Sequence, residues 1–281
     1  MRVTILGASG FIGRHLSAAL RSRGDDVVAA SLRDPAAAAA ACSGSMAVVN
    51  LAGAAVSERW TAERKREIER TRVELPHAFL DALERVAEKP ALYVSASGIG
   101  YYGTSRTATF TESSPAGQDF LARVCVAWEA EAGRARNLGL RVAVVRTGLV
   151  LGAGGGALAK LLPLFKLGAG GVVASGEQWY SWIHIDDQVG IYLRALDGFD
   201  GVLNATSPNP VKNKDFTHAL GAAVHRPALL PIPGFAISLI LGEGAVIVTE
   251  GQRVLPEATL ASGYRFKYPE LGAALAAIVS S

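Results

Sequence analysis

Three glycines near the start of the chain are spaced for contact with a phosphate group. Gly7, Gly10 and Gly13 follow the apolar run 3–6 and precede a helix-forming segment. In such a unit the first glycine allows the tight turn, the second lets backbone N–H groups approach a pyrophosphate, and the third permits close helix–strand packing. A turn that is merely rich in glycine is the alternative. We predict a dinucleotide site at the N-terminus of the first helix, with contacts from Gly7, Ser9, Gly10, Phe11, Ile12 and Gly13.

The end of the second apolar run distinguishes NAD from NADP. A carboxylate about 20 residues beyond the glycine turn would bind the ribose 2′-hydroxyl of NAD, whereas an arginine there would pair with the 2′-phosphate of NADP. Ser31 and Arg33 offer a hydroxyl and a guanidinium at this point. We therefore predict NADP(H) as the cofactor. Asp34 leaves NAD open, because a small change in loop geometry would bring a carboxylate to the ribose.

The elements that must position this turn alternate along the first 150 residues or so. Short apolar runs suit buried parallel strands, and their alternation with helix-forming segments is typical of βαβ units. We predict an α/β fold, a Rossmann-type doubly wound parallel sheet with a smaller C-terminal substrate lobe. The predicted strands are 3–6, 27–30, 47–51, 91–95 and 142–146, and the predicted helices are 11–23, 61–86, 118–137, 157–167 and a short surface helix at 36–41.

The regular alternation weakens near residue 152, where glycine-rich segments flank the helix at 157–167. We predict a Rossmann domain over 1–230, with substrate-lobe insertions from about residue 152, and a small domain over 231–281 that completes the lobe.

Composition favours a small-molecule partner over nucleic acid or a membrane. The formal net charge of +3 gives no broad electrostatic field for an anionic polymer or surface. Cys42 and Cys125 are too few for a thiolate metal site, so no metal is predicted. The longest apolar stretch, 229–241, contains two prolines, and the first residues already form a strand. We expect a cytoplasmic protein that binds no nucleic acid and no membrane, with a homodimer left open.

Further motifs follow the glycine turn along the chain. They are Asn50-Leu-Ala-Gly53, Ser95-Ala-Ser-Gly-Ile-Gly-Tyr-Tyr-Gly103, Glu112-Ser-Ser-Pro115, Val145-Arg-Thr-Gly-Leu-Val-Leu-Gly152 and Trp182-Ile-His-Ile-Asp-Asp187. Together with the glycine spacing, these motifs resemble the extended, epimerase-like branch of the short-chain dehydrogenase/reductase superfamily. The resemblance implies that Leu51, Ala52 and Gly53 complete the cofactor site.

A second set of motifs extends the likeness over the whole chain. They are Arg59-Trp-Thr61 with Arg64-Lys65, Gln178-Trp-Tyr-Ser-Trp-Ile183, and the tail segments at 251–256 and 263–269. These motifs are similar to a subfamily called nucleoside-diphosphate-sugar epimerases, which carries a C-terminal domain of unknown function.

The catalytic pair of that superfamily is missing from this chain. The pair is a tyrosine and a lysine four residues apart on one helix face, backed by a serine or threonine on the preceding strand. The lysine and the oxidised nicotinamide lower the pKa of the phenol so that it can exchange a proton. If Glu129 closes the helix motif, Leu121 stands at the tyrosine position and Cys125 at the lysine position. The sequence contains no Tyr-x-x-x-Lys.

Other side chains are candidates for the missing chemistry. Ser97, with Tyr102, is predicted to orient the reacting oxygen, although Ser95 and Ser97 could equally satisfy the backbone and Tyr101 could take the place of Tyr102. His184 and Asp186 could form a proton relay or could simply fix a loop. The predicted substrate pocket combines guanidinium and aromatic groups, which would suit an anionic or ring-bearing ligand or would seal the interface between lobes. Its residues are Arg59, Trp60, Gln178, Trp182 and Arg253, with Trp179 and Tyr180 beside them.

Two functions of different class follow. The first is an NADP(H)-dependent oxidoreductase or nucleotide-sugar-epimerase-like enzyme with an unusual proton donor, acting on a nucleotide sugar or another anionic ring compound. The alternative is a catalytically silent NADP(H) binder, a redox sensor or scaffold, and Leu121 and Cys125 favour it.

Overall fold

The computed structural model describes residues 1–280. Over this range the strands are β1 (Arg2–Leu6), β2 (Asp26–Ala30), β3 (Ala47–Asn50), β4 (Leu92–Gly98), β5 (Thr109–Phe110), β6 (Arg141–Thr147), β7 (Leu149–Gly152), β8 (Gly155–Gly156), β9 (Trp179–Tyr180), β10 (Trp182–His184), β11 (Gly201–Ala205), β12 (Val211–Lys212) and β13 (Arg253–Val254). The helices are α1 (Phe11–Ser22), α2 (Pro35–Ala40), α3 (Ala62–Glu69), α4 (Leu75–Leu83), α5 (Phe120–Arg134), α6 (Leu158–Lys166), α7 (Ile185–Leu196), α8 (Asn213–Ala223), α9 (Gly234–Leu241), α10 (Val246–Thr249), α11 (Glu257–Ala261) and α12 (Leu271–Ser280).

A parallel six-stranded sheet forms the centre of the molecule, in the order β11-β6-β4-β3-β1-β2. Val3 of β1 lies opposite Val27 of β2 on one side and Ala47 of β3 on the other. The strand order reverses between β1 and β3, because β2 is added on one side of β1 and β3 on the other. In open sheets of this kind ligands bind beyond the carboxyl ends of the strands at that point. The predicted α/β, Rossmann-type fold is confirmed.

Apolar side chains cover both faces of the sheet, which is why its strands are mostly hydrophobic. On one face, Leu16 and Leu20 of α1 and Ile191 of α7 join the core. On the other, Phe79 and Leu80 of α4 join it. Helix α2 also contributes to this second face through Ala38 and Ala39, which are buried, so the predicted surface helix is partly a core element.

All five predicted strands are present, and the sixth strand of the sheet, β11, was not predicted. Its sequence is short, and the buried Asn204 interrupts the apolar pattern. That asparagine is tolerated because its side chain is bonded at both ends, accepting from the Tyr102 hydroxyl at 2.7 Å and donating to the Leu255 carbonyl at 3.0 Å.

The predicted helix over 61–86 is divided into α3, a π-helical turn (Arg70–Glu74) and α4. Pro76 lies in the first turn of α4 and has no N–H to donate to the preceding turn. The wider turn therefore falls where the regular hydrogen-bond pattern cannot continue.

A second layer of short elements packs beside the carboxyl edge of the sheet. Strands β10, β7 and β8 form a three-stranded sheet, and β13 pairs with β5. A shared apolar core joins Leu158 of α6, Trp182 of β10, Phe216 of α8 and Leu275 of α12. Among residues 1–280, no helix combines the length and the apolar composition needed to cross a bilayer.

Candidate cofactor and substrate site

The glycine turn at 7–13 is closed by the backbone itself. Gly7 has a φ of +88°, in the left-handed region that favours glycine. Its N–H donates to the Ala30 carbonyl at 3.3 Å, and the Gly10 N–H donates to the Gly7 carbonyl at 3.0 Å. A Cβ atom at Gly13 would lie 2.3 Å from the Gly7 oxygen. The third glycine is therefore required for α1 to pack against β1, as the spacing predicts.

The N-terminus of α1 is open to an anion. No side chain caps it, and its first turn contains no acidic residue, whereas Asp34, Thr61 and Asp119 cap the helices that follow them. A Cβ at Gly10 would meet only the Gly7 oxygen within 4 Å, at 3.3 Å, so the space in front of this glycine is otherwise clear. Free N–H groups, the positive end of a helix and unobstructed space in front of Gly10 fit a pyrophosphate.

The side chain of Phe11 does not face this space. Its ring packs into the glycine-rich hairpin of β7 and β8, where a Cβ at Gly155 would lie 2.0 Å from the ring and one at Gly152 would lie 2.8 Å from it. The glycines of this hairpin make room for the ring. Phe11 can therefore serve the predicted site only through its backbone.

Ser31 and Arg33 lie at the carboxyl end of β2, on the exposed loop beside the glycine turn. No carboxylate of residues 1–280 forms an ion pair with Arg33. Asp34, which left NAD open, uses its carboxylate to accept from the Ala37 N–H at 3.0 Å and so caps α2. The free guanidinium and the engaged carboxylate favour a phosphate over a ribose hydroxyl at this point.

Buried hydrogen bonds hold the loop after β3 in place. The Asn50 side chain is fully buried. Its oxygen accepts from the Ala52 N–H at 3.1 Å, and its amide nitrogen donates to the Tyr93 hydroxyl at 2.9 Å. The Leu51 N–H donates to the Leu6 carbonyl at 2.8 Å. These bonds place Leu51, Ala52 and Gly53 alongside the glycine turn, since a Cβ at Gly7 would lie 3.1 Å from the Ala52 nitrogen.

Leu121 and Cys125, which stand at the two positions of the missing catalytic pair, lie on α5 beside the end of β4. A Cβ at Gly100 would be 3.1 Å from the Leu121 Cβ, and one at Gly98 would be 3.9 Å from the Cys125 Sγ. Leu121 belongs to an apolar cluster with Trp60. Burial raises the pKa of the Cys125 thiol to about 11, so this side chain remains a neutral thiol at physiological pH. Leu121 has no proton to exchange, and Cys125 carries no thiolate at that pH.

Ser97 and Tyr102, the predicted catalytic residues, belong to a buried hydrogen-bond network. The Ser97 hydroxyl donates to Glu129 at 2.7 Å, and Arg146 binds the same carboxylate through two bonds of 2.8 and 2.7 Å. The Tyr102 hydroxyl accepts from Arg146 at 2.9 Å and donates to Asn204. Burial raises the pKa of Tyr102 to about 12. The network places both hydroxyls in structural contacts, with Tyr102 only 3 % exposed.

The predicted pocket residues divide between the interior and the interface of the lobes. Trp182 and Gln178 are fully buried, and the Gln178 amide donates to the carbonyls of Val173 and Val248. Trp60 is 7 % exposed and packs edge-to-face against Phe120 at 5.2 Å. The surfaces of these three side chains are covered by the protein itself, and their place in a substrate pocket stays a prediction.

The other aromatic and cationic residues of the set contact one another or the backbone. Arg253 stacks over Trp179 at 5.4 Å and donates to the Thr109 hydroxyl at 2.9 Å. Tyr180 donates to the Val248 carbonyl at 3.3 Å. Arg59 donates to the Leu239 carbonyl at 2.6 Å near the C-terminus of α9. Of the predicted pocket residues, Arg59 and Arg253 therefore keep guanidinium surface that a ligand could reach.

His184 and Asp186 form a helix cap instead of an open relay. The His184 Nδ1 accepts from the Asp186 N–H at 3.1 Å, and the ring lies against that of Tyr268 at a tilt of 38°, with 4.0 Å between centroids. The Asp186 carboxylate binds Lys267 at 2.7 Å. These contacts agree with the alternative in which His184 and Asp186 fix a loop.

We expect the protein to lose stability as the pH falls through about 6.5. Burial lowers the pKa of His184 below its usual value. The unfolded chain therefore binds a proton at higher pH than the folded chain, so the stability associated with neutral His184 is complete above about pH 6.5 and is lost as the pH falls toward the lower folded-state pKa. Urea unfolding of wild type and His184→Asn, which keeps a capping acceptor, measures this dependence. An equal slope in the two proteins would contradict it.

A comparison with family models agrees with this architecture. Residues 3–206 match the family described as NAD dependent epimerase/dehydratase. The chain belongs to that family. Residues 232–278 match a domain of unknown function, DUF1731.

Relatives of this epimerase/dehydratase family member extend over its full length. The human epimerase family protein SDR39U1 is 39 % identical, with 100 % of both chains covered. The chloroplastic SDR39U1 homolog of Arabidopsis thaliana is 42 % identical and covers 99 % of this chain and 87 % of its own. The crystal structure of human SDR39U1 (isoform2) with NADPH superposes with a TM-score of 0.93 at 36 % identity, covering 100 % and 99 % of the two chains.

Several polar residues near the end of β4 are not evident as candidates from the sequence of this epimerase/dehydratase family member. Arg146 stands inside the buried β6, where a charged residue signals a partner, and its partner Glu129 was used only to align the helix motif. Asn204 gave no signal because β11 was not predicted. Arg72 was hidden in a helix rich in charged residues, most of which face solvent.

Proposed function

We propose that this family member binds NADP(H) across the N-terminus of α1 and uses it as an oxidoreductase or a nucleotide-sugar-epimerase-like enzyme. The observation that carries the proposal is the uncapped end of α1 in front of Gly10, with the unpaired Arg33 beside it. The NADPH of the human relative supports the choice of cofactor. When bound, the nicotinamide supplies or accepts the hydride. The residues Gly7–Gly13 and Leu51–Gly53 hold the dinucleotide, and Ser31 and Arg33 select its 2′-phosphate.

The proton chemistry in this proposal differs from that of the superfamily. Ser97 and Tyr102 hold the end of β4 through Glu129 and Arg146, so they orient the cleft rather than exchange a proton. Tyr101 is the neighbouring phenol whose hydroxyl is free of hydrogen bonds within residues 1–280, and its ring lies 3.4 Å from the Arg146 guanidinium carbon. The substrate is a small molecule, with a nucleotide sugar or another anionic ring compound as the proposed class.

A second candidate function is a catalytically silent NADP(H) binder that acts as a redox sensor or scaffold. The neutral Cys125 thiol and the apolar Leu121 at the positions of the pair favour it. Steady-state absorbance at the nicotinamide band, with NADPH and a panel of carbonyls and nucleotide sugars, separates the two. Turnover of any substrate supports the enzyme, whereas tight NADPH binding without turnover supports the silent binder. A cytoplasmic location and a homodimer stay predictions.

Arg33→Ala is expected to weaken NADPH binding by about 1.5–3 kcal/mol, or roughly 10- to 150-fold, because a charge-assisted bond to the 2′-phosphate is lost. NADH affinity is expected to stay the same, since NADH lacks that phosphate. Calorimetric titration of both nucleotides measures the two effects.

Arg21→Ala is the matched control, because it removes the same charge from an exposed position on α1 that forms no ion pair within residues 1–280. It is expected to leave both affinities unchanged. Equal weakening of NADPH and NADH in Arg33→Ala would overturn the assignment of Arg33 to the 2′-phosphate.

A further inference from the structure

Arg72 lies between the proposed cofactor loop and the helix that lacks the catalytic pair. It belongs to the π-helical turn Arg70–Glu74. Its guanidinium carbon would be 3.1 Å from a Cβ at Gly53, and it lies 5.0 Å from the ring centroid of Trp128 on α5. The group therefore bridges the carboxyl end of β3 and the face of α5.

The guanidinium of Arg72 has few partners for its five N–H donors. Within residues 1–280, its hydrogen bonding is limited to the Ile68 carbonyl, which Nη1 approaches at 3.4 Å, and no carboxylate pairs with it. The buried Nε1–H of Trp128 also has no acceptor. By contrast, the neighbouring Arg64 binds Glu58 at 2.7 Å, and the buried Arg146 binds Glu129. Within residues 1–280, the donors of Arg72 and Trp128 therefore have no acceptor other than the Ile68 carbonyl.

A cation in this position is costly when nothing binds it. Burial lowers the pKa of Arg72 to about 10, and the positive charge of Arg64 acts in the same direction. Arg72 is half-buried, and a charge partly withdrawn from water without a counter-ion destabilises the fold. The cost is offset if an anion enters the cleft.

The position of Arg72 is fixed by its neighbours. The Thr71 hydroxyl accepts from the Ala54 N–H at 3.0 Å and donates to the Glu67 carbonyl at 2.9 Å. This pair of bonds ties the π-helical turn to the loop after β3, directly beside Gly53. Single π turns within helices are frequent at functional sites, because they redirect side chains.

We propose that Arg72 binds an oxyanion, a phosphate or carboxylate group of the ligand, where the loop after β3 meets α5. The inference rests on the proposed function, because Gly53 belongs to the proposed cofactor site, and it deepens that function by naming the ligand chemistry. The planar guanidinium fork suits both anions. The anion comes either from the diphosphate of the dinucleotide or from the substrate.

Two titrations of wild type and Arg72→Gln test this inference and distinguish the sources. In the first, NADPH is the ligand, and a loss of affinity of about tenfold or more assigns the anion to the diphosphate. In the second, both proteins are saturated with NADPH and heated in rising inorganic phosphate. An increase in the melting temperature of wild type alone assigns the anion to the substrate. Equal NADPH affinities together with equal phosphate responses would overturn the proposal.

Three further measurements keep the test decisive. The melting temperature of ligand-free Arg72→Gln is expected to equal or exceed that of wild type, because an uncompensated cation is removed; a lower value together with unchanged binding would show a purely structural role and overturn the proposal. Arg66→Gln, which removes an exposed charge from α3, is the matched control and is expected to bind as wild type does. Arg72→Lys keeps the charge but loses the fork, so it is expected to bind more weakly than wild type.

Different results would contradict the proposed function and the proposed role of Arg72. If wild type binds no NADPH, the proposed function is wrong, and the phosphate titration of the ligand-free protein still tests Arg72. If wild type binds NADPH and Arg72→Gln and Arg72→Lys both respond to NADPH and phosphate as wild type does, the proposed function stands and the role of Arg72 is wrong.

Discussion

Gly10→Val is expected to abolish NADPH binding while the protein stays folded. Gly10 has a φ of −69°, which any residue can adopt, and a Cβ there would meet only the Gly7 oxygen, at 3.3 Å. The added side chain would instead fill the space in front of the free N–H groups of α1. Losing two or more charge-assisted bonds costs about 3 kcal/mol or more, which is at least about 100-fold in affinity.

The measurement is a calorimetric titration with NADPH, accompanied by urea unfolding of the ligand-free protein. The substitution at this cap position is expected to change the free energy of unfolding by no more than about 1 kcal/mol. NADPH affinity equal to that of wild type in a folded Gly10→Val variant would place the dinucleotide elsewhere.

Gly13→Ala is expected to destabilise the fold itself, by about 3 kcal/mol or more. The new Cβ would lie 2.3 Å from the Gly7 oxygen and 2.8 Å from the Ala8 Cα. Both atoms are backbone, so no side chain can rotate away, and α1 has to move off β1. Equilibrium unfolding in urea measures the loss.

Gly133→Ala provides the matched control, because Gly133 lies within α5 and its Cβ would meet nothing within 4 Å. This variant is expected to be more stable than wild type by about 0.5–1 kcal/mol, since alanine favours helix over glycine. If Gly13→Ala unfolds at the urea concentration of wild type, the close packing of α1 on the glycine turn is wrong.

The sequence predicts the sheet and the glycine turn well because both are set by local chemistry. The apolar run at 3–6 and the three glycines require no knowledge of distant residues, since a tight turn, a free N–H and a close helix are properties of seven consecutive residues. Strand β11 was not predicted because Asn204 is polar, and the residue that stabilises it, Tyr102, lies about 100 residues earlier in the chain. Its polarity makes sense only in the folded protein.

The catalytic and substrate residues were harder to predict because their environments are set by distant contacts. Tyr102 is a candidate catalytic residue in the sequence, and in the structure its hydroxyl accepts from Arg146 and donates to Asn204. Trp182 lies in a short aromatic segment that suggests a pocket wall, yet its ring is fully buried against residues of α6, α8 and α12. Arg72 is one of many charges in its helix, and its unpaired state appears only when Gly53 is placed beside it.

Because the chain contains no Tyr-x-x-x-Lys, its activity depends on few other groups. The structure places a neutral thiol at one position of the pair and a leucine packed against Gly100 at the other. In the proposed function, proton transfer is therefore assigned to Tyr101, to water or to the substrate itself. The binding of NADP(H) is independent of that answer, so it is the claim to test first.

A crystal structure of the protein grown with NADPH tests that claim most directly. We expect electron density for the diphosphate against the backbone N–H groups at the start of α1, and for the 2′-phosphate beside Arg33. Clear density for NADPH at any other surface, or an empty helix terminus at an NADPH concentration that saturates the human relative, would contradict it.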